Sequence, residues 1–114
     1  NEYYKKELSS INEISFLEEN EGSCSNFWLT TILLDTNSAI EREDLRLHLE
    51  KDNIESRPLW KPMHIQPIFK DCKSYTNGVS EDLFNRGLCL PSGTNMSEQE
   101  LERIVKKIKE LYEA

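Results

Sequence analysis

A capping signal followed by a sustained apolar stripe constrains this chain more than anything else in it. Ser97-Glu98-Gln99-Glu100 has the spacing of a capping box, in which a Ser and a Glu side chain satisfy backbone N–H groups at a helix start. Leu101, Ile104, Val105, Ile108, Leu111 and Tyr112 then recur every three or four residues as one face of a helix. A helix that is apolar on one side has to bury that side, so the rest of the chain must supply a sheet or other helices to receive it. The 114 residues hold material for one modest core and one domain.

Candidate partners for the stripe appear along the chain. Tyr4, Leu8 and Ile11 fall on one helical face within residues 1–12, and "LEENEGSCS" reads as an acidic connector. "NFWLTTILLD", Asn26 to Asp35, is aromatic and β-branched and predicts a largely buried strand with Phe27 and Trp28 in the core. "TNS" offers turn and N-cap chemistry before a helix in "IEREDLRLHLEKDN". There the alternation of Leu45, Leu47 and Leu49 argues for strand, but the acidic first turn and Asn53 as a left-handed stop argue for helix. "IESRPLW" predicts a second short strand ended by Pro62, and residues 61–79 an irregular section closed by an Asn77-Gly78 turn. Ser80 is the expected cap of a short helix, "EDLFNR", ending at Gly87. "LCL" is the third strand, closed by "PSG". The expected fold is α/β (α+β), a small three-stranded, mainly antiparallel sheet flanked by helices.

Several function classes are disfavoured. A net charge of -7 argues against sequence-independent nucleic-acid binding, which needs clustered Lys and Arg. No apolar run approaches the roughly 20 residues of a membrane span, and "NEYYKKELSS" lacks the apolar centre of a signal peptide, so a cytoplasmic location is expected. Cys24, Cys72 and Cys89 are odd in number, without a C-x-x-C pair. They predict reduced, mostly buried thiols and neither disulfides nor a metal site. A start at Asn1, with a helical pattern already running, suggests a piece of a longer protein. Glycines are isolated, so no phosphate loop forms, and neither a G-x-S-x-G elbow nor an H-E-x-x-H pair occurs.

What stands out chemically is "ESRPLWKPMHIQPIF", Glu55 to Phe69. Arg57 can clamp a carboxylate or phosphate with two hydrogen bonds. Trp60 offers a stacking face, Lys61 a mobile positive charge, and His64 a donor, an acceptor or a proton carrier. The prolines stiffen the segment, which lowers the entropy lost on ordering it around a ligand. The same residues also fit a plainer account: Arg57 in a surface ion pair, Trp60 as a core or interface anchor, and His64 structural or solvated. His48 reads as a surface residue among helix charges, and Ser92, Thr94 and Asn95 as turn and cap residues.

"SRPLWKPMHIQPIF" followed by "LFNRGLCLPSGTNMSEQELERIV" resembles the C-terminal region of the DegT-type sugar aminotransferases, pyridoxal-phosphate enzymes of the aspartate aminotransferase fold. "SNFWLTTILLD" resembles the strand that opens their small domain, and "IEREDLRLHLEKDNIESRP" the helix and strand after it. The resemblance implies that residues 1–24 are the end of a linking helix and a connector, and residues 25–114 the C-terminal small domain. It also implies that the large cofactor-binding domain lies outside this chain. Such enzymes move an amino group from glutamate to a nucleotide-linked keto-sugar, here a UDP-linked 4-keto sugar for surface glycan, and work as homodimers. The implied substrate-binding residues are Arg57, Trp60, Lys61, Met63 and His64. No residue here is implied to be catalytic or to bind the cofactor, because none of the nine lysines sits in the family's cofactor-lysine context. The chain alone is expected to be inactive, with Met63, Ile65, Ile68 and Phe69 as an exposed apolar patch. The alternative is a stand-alone, non-catalytic interaction module of the same fold.

Overall fold

The terminal stripe is received by two helices and one face of a four-stranded sheet. The computed structural model describes residues 1–113. In chain order the elements are α1 (Glu2–Leu8), β1 (Ile14–Phe16), β2 (Thr30–Leu34), α2 (Arg42–Lys51), β3 (Arg57–Pro58), α3 (Val79–Arg86), β4 (Gly87–Leu90) and α4 (Glu98–Glu113). Two 3₁₀ turns, Met63–Ile65 and Pro67–Phe69, lie between β3 and α3. The sheet order is β1-β2-β4-β3 and every pairing is antiparallel, with Ile32 opposite Leu88 at the centre.

Burial along β2 alternates: Thr30, Ile32 and Leu34 are buried, whereas Thr31 and Leu33 are only half-buried. That period of two turns one face of the sheet toward the helices. On it lie Tyr4 and Leu8 of α1, Leu45 and Leu49 of α2, and Ile104, Val105 and Ile108 of α4. Each fully buried aliphatic side chain is worth about 1.5–3 kcal/mol relative to exposure, so this face dominates the fold's stability. Tyr4 ties the first helix to the end of β4, its hydroxyl donating to the Pro91 carbonyl at 2.9 Å.

The expected capping of α4 is present: Ser97 N–H donates to Glu100 Oε2 at 2.7 Å, and Glu100 N–H donates to Ser97 Oγ at 3.3 Å. Asn53 has φ of 56° at the end of α2, the left-handed stop read from sequence.

Other expectations are corrected. The sheet has a fourth strand, β1, only three residues long and therefore too short to declare a period. The strand expected from Asn26 begins at Thr30. Ser25 Oγ and Asn26 Oδ1 accept the N–H groups of Phe27 and Trp28, at 3.0 and 3.1 Å, and hold a turn there. Phe27 sits at φ 49° in that turn. Phe27 and Trp28 are consequently exposed rather than core. The strand expected over "IESRPLW" shrinks to Arg57–Pro58 at the edge of the sheet, with one further bond from Leu59 N–H to Gly87 O. Glu41, not the "TNS" run, caps α2, in a reciprocal pair with Asp44. Ser80 lies inside α3, which is instead entered through Gly78 at φ 84° and Asn77 Oδ1, an acceptor for Val79 N–H. Cys24 and Cys72 are exposed and Cys89 alone is buried, against the expectation of mostly buried thiols. His48 is half-buried, with Nε2 sealed and without a partner among the described residues, so it is not a simple surface residue.

Candidate functional site

At the β3 edge the sheet and the start of α4 enclose a groove of about 720 Å³, whose lining includes Trp28, Arg57, Trp60, Cys89, Glu100 and Arg103. β3 places Arg57 opposite Cys89 of β4. Trp60 follows Leu59, whose N–H donates to Gly87 O at 3.3 Å, and so leaves the sheet at a fixed point. Trp28 arrives from the turn before β2. The two indoles stand 6.4 Å apart between ring centroids, inclined at 45°, and are 70% and 68% exposed. Tilted aromatic pairs at this distance attract each other, and their free faces remain open to a stacking ligand.

Arg57 is held loosely in the groove. Arg57 donates through Nε to Glu55 Oε1 at 2.8 Å, and the pair is largely solvent-exposed. A solvated pair of this kind contributes 0–1 kcal/mol at most, so a carboxylate or phosphate can replace Glu55 at little cost. Arg103 Nη2 donates to the Asp52 carbonyl. Glu100 is held below the usual carboxylate range, first by the Ser97 backbone N–H and then by its hydroxyl, and so carries its charge at neutral pH. Ser56, in the groove wall, is buried with an unpartnered hydroxyl. Ser92 is fully used: it accepts Thr30 N–H and donates to Leu90 O, each at 2.8 Å, which is structural work.

Of the five residues proposed from sequence, Arg57 and Trp60 line this groove; Lys61, Met63 and His64 do not. Lys61 and Met63 are exposed beyond it. The Lys61 carbonyl accepts Gln66 Nε2 at 2.9 Å, which folds the loop back on itself. His64 turns toward α3, where Nε2 lies 2.6 Å from Glu81 Oε1. Trp28, Arg103 and Glu81 were not singled out as site residues. For Trp28 the signal was available, because Ser25-Asn26 is a turn pair that separates the aromatic residues from the strand. Arg103 and Glu81 look like any other helix charge in the sequence.

The groove also limits which groups it can hold. No lysine lines it. A pyridoxal-phosphate cofactor is tethered through a lysine amine, so this groove does not fit that cofactor, whereas guanidinium groups and open indole faces fit an anionic, ring-bearing substrate. Among the described residues no group of three or more His, Cys, Asp or Glu is placed to hold a metal ion, and no helix is long and apolar enough to cross a membrane.

Residues 1–109 match the DegT/DnrJ/EryC1/StrS aminotransferase family, and the chain belongs to that family. EpsN of Bacillus subtilis (strain 168) is 42% identical over 113 residues, spanning 96% of this chain and 29% of EpsN. GDP-perosamine synthase of Escherichia coli O157:H7 is 35% identical over 109 residues, again 96% of this chain and 29% of the relative. The crystal structure of S. venezuelae DesV in complex with a ketimine intermediate shares the fold, with a TM-score of 0.83 at 19% identity over 99% of this chain and 30% of DesV. The chain thus spans about 29% of the length of the curated relatives it matches.

Proposed function

We propose that this chain is the C-terminal, substrate-side part of a pyridoxal-phosphate aminotransferase that moves an amino group from glutamate to a nucleotide-linked keto-sugar in surface glycan biosynthesis. The catalytic lysine and the cofactor site belong to the part of the protein outside this chain. The intact enzyme is a cytoplasmic homodimer, and this chain by itself is inactive. The motif led to the expectation of a UDP-linked 4-keto sugar, whereas the name of the E. coli relative carries GDP. The substrate class proposed is therefore a nucleoside-diphosphate-linked keto-sugar.

The observation that carries this reading is the convergence of Arg57 and Trp60, from the segment that bears the family resemblance, on one groove with Trp28 and Arg103. In the proposed role the indole faces stack on the base or the apolar face of the sugar. Arg57 exchanges Glu55 for a phosphate, where its forked donors can bind two oxygens at once. Lys61, Met63 and His64 contact the remainder of the substrate from the loop beyond the groove. The chemistry on the amino group takes place on the cofactor; these residues bind and orient.

The test is equilibrium binding of UDP-, GDP- and dTDP-linked sugars to the intact protein and to its Arg57→Ala variant. Loss of a charge-assisted phosphate contact worth about 1.5–3 kcal/mol weakens the best ligand by about 10- to 150-fold. Unchanged affinity for every nucleotide-sugar that the parent binds would remove Arg57 and the groove from the account.

A further inference from the structure

The contact between His64 and Glu81 joins two elements that are anchored independently. His64 lies in the Met63–Ile65 turn, where Ile65 N–H donates to Pro62 O at 3.2 Å and Gln66 N–H to Met63 O at 3.1 Å. Glu81 lies in the first turn of α3. That helix is pinned to the sheet by Arg86, whose Nη1 donates to Leu34 O at 2.7 Å while Nε and Nη2 hold Asp82 at 2.8 and 2.6 Å. It is pinned again by Arg42, which donates to Phe84 O at 3.1 Å and stacks 5.2 Å from the Phe84 ring centre. The imidazole is mostly covered, at 17% exposure, and Glu81 is 44% exposed. A pair this open adds little stability, so orientation of the ring is its main consequence.

The protonation pattern follows from the partner. An ionised carboxylate can only accept hydrogen bonds, so the ring nitrogen facing it carries the hydrogen. A neutral imidazole has one N–H, and assigning it to Nε2 leaves Nδ1 as a bare acceptor. Nδ1 has no partner among the described residues and is not among their sealed, unpartnered atoms. We infer that Glu81 is a positioning residue that holds His64 as the Nε2–H tautomer and leaves Nδ1 as the acceptor offered to substrate. The inference rests on the substrate-side reading of His64 given above. It specifies that reading: Nδ1 takes a hydrogen bond from a sugar hydroxyl or a base N–H of the nucleotide-sugar, and not from a phosphate oxygen, which has no hydrogen to give.

The experiment has two arms on the intact protein. In the first, the protein is labelled with ¹⁵N-histidine and long-range ¹H–¹⁵N correlations are recorded with the ring neutral, His64 being assigned by its loss in His64→Asn. The expected result is protonation at Nε2 alone in the parent and in Glu81→Gln, whose amide oxygen still accepts, and a mixture of both tautomers in Glu81→Ala. Protonation at Nδ1 in the parent, or an unchanged spectrum in Glu81→Ala, overturns the inference. The second arm measures binding of the same UDP-, GDP- and dTDP-sugar panel. Glu81→Ala is expected to weaken the best ligand about 2- to 10-fold, the value of one neutral hydrogen bond. It should have no further effect in a His64→Ala background. An equal loss in both backgrounds shows that Glu81 does not act through His64 and overturns the inference. Parent-like binding by His64→Ala, with the Nε2–H tautomer observed, overturns the substrate role of His64 while the tautomer assignment stands.

Discussion

Tyr4 shows how much one side chain does in a core this small. It is 1% exposed, and its hydroxyl reaches from the first helix to the Pro91 carbonyl. Burial, with a smaller contribution from the neighbouring Tyr3, pushes its phenol well above the ordinary range. The sign follows directly. The phenol stays neutral in the folded protein, while in the unfolded chain it ionises near pH 10, so the contribution is complete below that pH and is lost as pH rises toward the folded value. Tyr4→Phe is therefore expected to cost about 0.5–1.5 kcal/mol near neutrality and to make the fall in stability above pH 10 shallower. Urea unfolding from pH 7 to 11.5 reads both, and an unchanged alkaline slope would contradict the assignment. Tyr112, half-buried and pushed up to about 12 chiefly by burial, contributes to the slope that remains. The sequence marked Tyr4 as core by its helical spacing with Leu8 and Ile11. It could not mark the bond to Pro91, which spans 87 positions.

Elements were legible where local chemistry alone decides them. The α4 helix carries its own cap and stripe, so tertiary context had nothing to override. Asn53 was readable because few residues other than glycine tolerate its backbone angles. The three-residue β1 was not readable, and of β3 only its place within "IESRPLW" was, since strands this short exist through their partners rather than through their own sequences. Gly87 was readable as the stop of α3, but the reason it must be glycine was not. Its backbone is extended, φ -91° and ψ 137°, and open to any residue. Its need for glycine is a matter of space, because an added Cβ would overlap Leu59 Cδ1 and lie 2.5 Å from the Leu83 carbonyl oxygen. Gly87→Ala is expected to destabilise by about 1–3 kcal/mol, as overpacking does, and to shift the α3–β4 junction beside Leu59 and Trp60. Thermal melts of the two proteins check this; equal midpoints would show that the junction has slack.

At the scale of the molecule, the helix-covered face of the sheet is closed, and several large apolar side chains stay open to solvent outside it. Trp28, Trp60, Met63 and Ile68 are all more than 60% exposed. Of the apolar patch expected at Met63, Ile65, Ile68 and Phe69, the first and third are exposed and the other two half-buried. Exposed apolar surface marks a contact or ligand face where it is contiguous, as it is for the Trp28–Trp60 pair. The candidate site was half legible in advance. Arg57 and Trp60 could be named because their side-chain chemistry is distinctive within a stiffened segment. Trp28 comes to them only through the pairing of β2, β3 and β4, and Arg103 only through the packing of α4, neither of which a local pattern encodes.

The central claim of the proposal is a division of labour, in which this chain meets the nucleotide-sugar and the rest of the protein holds the cofactor. Trp60→Ala in the intact protein tests it most directly, with the two half-reactions followed separately through the cofactor's absorbance. The account predicts bleaching by glutamate at the parent rate, and recovery on adding nucleotide-linked keto-sugar slowed at least tenfold. Loss of the glutamate response with an unimpaired sugar step would contradict it.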